Sequence, residues 1–262
     1  MGVIATDLWL LAHYEEPEEI CKNLKEYIPL PPRYIYRYLV SRGMYRPMRG
    51  GKEDVEKLQQ QNVWGEIEKE LEQLRHWLNG PDIPIFIFPS DVYNRRVQRE
   101  YDGKSGLALR KCLFLFVSPH NTIEELQAVL THEYHHICRL ATIKKKEEDY
   151  TLLDTMILEG LAEAAVAERY SKAYHAPWTR YYTKQEAVQF WHRYVNDKIT
   201  VYRGTAEHEE LLNGLRLYPD MLGYAVGFHL VQDCIAHKKL TTKQLLTMDA
   251  KEILQEARSF SI

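Results

Sequence analysis

His132-Glu133-Tyr134-His135-His136 has the form HExxH, a string that acquires chemical meaning only on an α-helix. There, residues four apart share a face about 6 Å apart, so His132 and His136 can close on one Zn²⁺ at roughly 2.0–2.1 Å each. Glu133 stands at the rim of that face. A carboxylate so placed can take a proton from a water whose pKa zinc has lowered to about 7, which is hydrolytic chemistry. The string therefore demands a helix, a core to anchor it and a second segment carrying the remaining ligand.

Only three letters of the string are fixed and the chain holds 11 histidines, so context has to decide. Thr122 and Glu125 have capping-box spacing, which satisfies orphan amides at a helix start. Leu126, Leu130, Tyr134, Ile137 and Ala141 then recur at helical intervals and predict a core-facing stripe. Upstream, Pro119 follows the apolar run 112–118, which reads as a strand, either buried or at a sheet edge.

The third ligand must come from elsewhere, because the metzincin continuation HExxHxxGxxH fails: Arg139 and Thr142 stand where its Gly and His belong. A Glu on a second helix is the other common solution, giving a His₂Glu site. Residues 154–163 supply it, and Ala164, Ala165, Val166 and Ala167 continue the segment as a strong helix former with small side chains for close packing. Glu159 and Glu163 share a face of that helix. Glu159 is assigned to the metal. Glu163 is placed behind it, where a carboxylate accepting the far N–H of a ligand imidazole fixes its tautomer, and is the substitute ligand.

These residues, with Leu158-Glu159-Gly160-Leu161-Ala162-Glu163 and Gly223-Tyr224-Ala225-Val226-Gly227, resemble the YjaZ-like family of predicted bacterial Zn-dependent proteases, a branch related to the gluzincins. The opening ten residues and Gly103-Lys104-Ser105-Gly106 also resemble that family, so the likeness covers most of the chain. It implies a gluzincin-like core, with a small sheet whose edge strand lies next to the HExxH helix. It also implies a Tyr or His that stabilises the oxyanion. Tyr224, between two glycines and at a family-like distance from Glu159, is assigned that role, with Tyr218 and His208 as substitutes. No GxMEN-like aminopeptidase stretch is present, which favours endopeptidase or oligopeptidase action.

Length and charge limit the alternatives. A chain of 262 residues holds one large or two modest domains, and a net charge of −3 with interleaved signs leaves no footprint for nucleic acid. Lys144-Lys145-Lys146, followed at once by Glu147-Glu148-Asp149, reads as a solvated interhelix loop. No apolar run nears the ~20 residues of a membrane span, and no signal-peptide pattern opens the chain. Cys21, Cys112, Cys138 and Cys234 are scattered, without a CxxC pair, as expected of reduced thiols in a cytoplasmic protein. Met1-Gly2 and the four residues after it have the letters of a myristoylation signal but read as a packed N-terminal arm.

Residues 1–79 are expected to form a helical N-terminal region, with helical spacing over 16–27 and 55–78, punctuated by Pro31-Pro32 and Arg49-Gly50-Gly51. Asn79-Gly80-Pro81-Asp82 marks the boundary, and 80–262 is the expected zinc metallopeptidase-like domain. Residues 83–88 predict a strand, Thr183 and Glu186 cap a helix containing Phe190, Trp191 and Tyr194, and 219–236 and 249–258 are helical. The class is α+β, helix-predominant. The expected function is zinc-dependent hydrolysis of peptide bonds in a peptide or protein substrate, with no nucleic-acid or membrane partner. The alternative is a non-catalytic, zinc-stabilised regulatory or binding protein. A third reading is a helical interaction protein in which the string is coincidental.

Overall fold

Alternate residues of a strand point to opposite faces, and in both apolar runs one of those faces is phenylalanine. Phe86 and Phe88 come from β2 (Pro84–Pro89), and Phe114 and Phe116 from β4 (Cys112–Val117). In the computed structural model, which describes residues 1–101 and 103–260, Phe86 and Phe114 stack at 5.1 Å between ring centroids. All residues of both strands are buried, so both faces of the sheet are covered there. The order is β1-β2-β4-β3, with β1 (Gly2–Val3), β2 and β4 parallel and β3 (Ser105–Leu109) antiparallel to β4.

This order decides between the two readings of 112–118 in favour of a buried strand. The two residues Arg110-Lys111 turn β3 back along β4, with Leu109 opposite Cys112, so β4 is internal and β3 takes the edge. The N-terminal arm is packed as expected and adds β1 to the opposite edge, while the Thr6 hydroxyl donates to the Ile87 carbonyl. Pro84 stands at a strand start, where its missing N–H is tolerated.

The chain divides into two compact units, Met1–Ile137 and Cys138–Ile262. The first holds α1 (Thr6–His13), α2 (Pro17–Cys21), α3 (Pro32–Arg42), α4 (Gly51–Gln60), α5 (Val63–Leu78) and α6 (Arg95–Glu100) besides the sheet. Pro32 opens α3 at its first position, as the punctuation implied. The run 55–78 is two helices rather than one, because Asn62 adopts the left-handed conformation at φ 55°, which Asn tolerates better than most residues. The division falls inside α7 (Ile123–Thr142), a helix continuous across it.

In the second unit, Thr151 and Asp154 form a capping box that starts α8 (Leu152–Arg169). Then follow α9 (Lys184–Phe190), running on into a π-helical turn at Trp191–Val195, α10 (Ala206–Asn213), α11 (Leu222–Lys238), α12 (Thr242–Leu245) and α13 (Ala250–Glu256). The expected Thr183–Glu186 box is present, and Trp191 is fully buried among Leu153, Ile157, Val226 and Leu230 in one core cluster. Two charged side chains grip α12. Glu168 of α8 accepts from the N–H and hydroxyl of Thr242, and the buried Arg139 guanidinium donates to the carbonyls of Leu245, Leu246 and Met248. Among the described residues, no helix is long and apolar enough to cross a membrane. Helices outweigh one small mixed sheet, and the class is α+β.

Candidate metal centre

Helix α7 begins where the capping box places it: Thr122 Oγ1 accepts from the Glu125 N–H at 3.2 Å, and the Glu125 carboxylate accepts from the Thr122 N–H at 2.8 Å. Burial alone would raise the Glu125 carboxyl, but the Thr122 N–H and nearby Lys104 outweigh it and hold the group below the ordinary range. Farther along, Tyr134 is fully buried and donates its hydroxyl to the Pro81 carbonyl at 2.8 Å. His135 is likewise fully buried, so it is a core residue. One face of the helix is thereby fixed in the core.

On the neighbouring face, the His132 and His136 rings meet edge to face, with centroids 4.6 Å apart and planes at 84°. Glu159 lies on α8. Each of the three offers a ligand atom, and these atoms all lie within 4.8 Å of one another; His136 is buried, His132 and Glu159 half-buried. Donors held at 2.0–2.1 Å in a tetrahedral zinc site are about 3.4 Å apart, a spacing that two imidazoles and a carboxylate gathered this closely could meet.

The other candidates divide. Glu133 is 8% exposed and lies against β3 at Gly106. Glu163, buried one turn beyond Glu159, accepts the Ala176 N–H at 3.0 Å. That bond holds the start of the 3₁₀ turn Pro177–Arg180, which seats the buried Trp178 against the Tyr224 ring at 5.2 Å. Tyr224 is half-buried on α11. Of its substitutes, His208 is buried in the core with Nε2 3.1 Å from Thr155 Oγ1, and Tyr218 packs against the Tyr194 ring at 5.7 Å. Cys138 is buried, which pushes its thiol up to about 12 and removes it as a nucleophile at neutral pH.

Sequence reasoning missed the contact between Gly106 and Glu133 and the role of Arg139. The first had a signal in the Gly103-Lys104-Ser105-Gly106 stretch, but nothing there named its partner. Arg139 registered only as a mismatch to another motif.

The family model described as "Predicted Zn-dependent protease (DUF2268)" matches residues 63–255. The chain belongs to this family. The matched span carries α7, α8 and α11, and with them the whole candidate centre. Two relatives come from Bacillus subtilis (strain 168). "Uncharacterized protein YjaZ" is 37% identical over 97% of this chain and 98% of its own length. "Uncharacterized protein YjfC" is 26% identical over 73% of this chain and 66% of its own length. No solved structure matches the chain. Membership in the predicted Zn-dependent protease family agrees with the chemistry of the donor set.

Proposed function

We propose that this chain is a zinc metallopeptidase of gluzincin-like build, with His132, His136 and Glu159 as the metal ligands and Glu163 supporting them. The observation that carries this reading is the His₂Glu donor cluster, whose ligand atoms lie within 4.8 Å of one another. When bound, zinc supplies Lewis acidity, lowering the pKa of water and polarising a carbonyl. Glu133 takes the proton of the attacking water and passes it to the leaving amine nitrogen. Tyr224 donates its hydroxyl to the oxyanion as charge develops on the carbonyl oxygen. Trp178 against its ring limits the positions the hydroxyl can take.

The substrate is an extended peptide that adds along the outer edge of β3 through backbone hydrogen bonds, a mode that tolerates varied sequences. The site of action is the cytoplasm, in keeping with four free, buried cysteines.

Elemental analysis and peptide-library cleavage test the reading together. The expected results are about one zinc per chain, lost in His132→Ala, and cleavage by the wild type that disappears in Glu133→Gln while zinc stays bound. Zinc without cleavage would leave a non-catalytic, metal-stabilised protein. No zinc after equilibration with Zn²⁺ would end the metal reading itself.

A further inference from the structure

Edge strand β3 meets α7 at one point where a side chain is missing. A Cβ built on Gly106 would lie 2.2 Å from Glu133 Cγ, 2.6 Å from Cδ and 2.7 Å from Oε1. Non-bonded carbons rest at about 3.5–4.0 Å, so the Glu133 side chain occupies the space a residue-106 side chain would need. Backbone conformation does not explain the glycine. Gly106 is in register with Leu115 of β4, and its φ lies outside the left-handed range.

Which part of Glu133 is touched decides what an added methyl would do. Cγ is placed by χ1, and on a helix χ1 is confined to two of its three staggered wells. Turning the carboxylate about its last torsion leaves Cγ where it is. A methyl at position 106 therefore sends the whole side chain to the other well or lifts β3 from α7, and either displaces the carboxylate.

We propose that Gly106 is a positioning residue for Glu133: its missing side chain is the recess that holds the carboxylate in the rotamer from which it takes the proton of water. This rests on the reading of Glu133 as general base. The same recess brings the edge-strand backbone directly alongside the base.

A thermal double-mutant cycle on metal-free protein, paired with kinetics, tests it. Gly106→Ala lowers Tm in the wild-type background, and the loss disappears in Glu133→Ala, where no Cγ opposes the methyl. In the zinc-loaded enzyme, Gly106→Ala lowers kcat about 10²-fold, the scale of a 1 Å misplacement, with KM and zinc content unchanged. If Gly106→Ala alone does not fold, the Gly106→Ala/Glu133→Ala variant still should, and failure of both overturns the proposal. Equal Tm losses in the two backgrounds overturn it as well, as does full kcat in Gly106→Ala when Glu133→Gln is inactive. An active Glu133→Gln removes the general-base reading instead, and a Tm coupling that survived would then mark packing alone.

Discussion

Gly160 of α8 and Gly227 of α11 meet with no room for a Cβ on either side. One built on Gly160 would lie 2.5 Å from the Gly227 carbonyl oxygen, and one on Gly227 would lie 2.3 Å from the Met156 carbonyl oxygen. The two helices are thus in backbone contact one residue from Glu159 and three from Tyr224. Backbone cannot rotate away as a side chain can, so the separation between α8 and α11 is set by this contact.

Gly227→Ala should therefore destabilise the protein by about 1–3 kcal/mol, the usual cost of overpacking a tight core. Urea unfolding would register this as a lower midpoint with an unchanged slope. Gly160→Ala should do the same. A midpoint equal to wild type in both would show that the helices part freely.

Arg139 makes a second test. Its guanidinium is buried and serves three carbonyls, so Arg139→Met strands three acceptors and should cost about 3 kcal/mol. Arg139→Lys should recover only part, because a single ammonium cannot reproduce the planar fork. Chemical denaturation of the two variants checks the order, and full stability in Arg139→Met would refute it.

Tyr224→Phe keeps the ring against Trp178 and removes only the hydroxyl. If that hydroxyl meets the oxyanion, kcat should fall about 10²- to 10³-fold with zinc content unchanged. Tyr218→Phe should leave kcat near wild type. The reverse pattern would move the role to Tyr218.

His175 and His229 predict a pH dependence of stability. Burial is the main cause holding both imidazoles below the ordinary 6.5, opposed by Glu163 beside His175 and by the Tyr182 carbonyl, 2.9 Å from His229 Nε2. Between their folded values and 6.5 the unfolded chain binds more protons, so stability rises with pH in that window. It should be complete above about pH 6.5 and decline below it. Thermal midpoints of metal-free protein from pH 8 to pH 5 should fall less steeply in a His175→Gln/His229→Gln variant, and curves that run parallel would contradict the assignment.

How much of this could be read from the sequence depended on whether the signal was local. Capping boxes at Thr122–Glu125 and Thr183–Glu186 and the helical apolar stripe of α7 act within a few residues, and the helices begin where those signals place them. The grouping of Glu159 with His132 and His136 was reachable because helix periodicity and metal chemistry constrain the same segment. The edge position of β3 was not, since β3 and β4 are both short apolar runs and only their partners distinguish them. Gly106 was hidden for a related reason: a missing side chain gives no sign of the neighbour that fills its place. Residues 55–78 kept one helical rhythm across the break at Asn62, where a single backbone angle, not polarity, divides them.

The grip on α12 has a consequence for how the chain withstands shortening. Four residues of helix rise about 6 Å, and this block sits with its positive end on Glu168 and its negative end on Arg139, as the helix dipole favours. It bridges the last turns of α7 and α8, although it lies about seventy residues downstream of the second. A chain ending before Thr241 would keep every side chain proposed to touch metal or substrate, yet lose the block that ties Arg139 at the end of α7 to Glu168 at the end of α8.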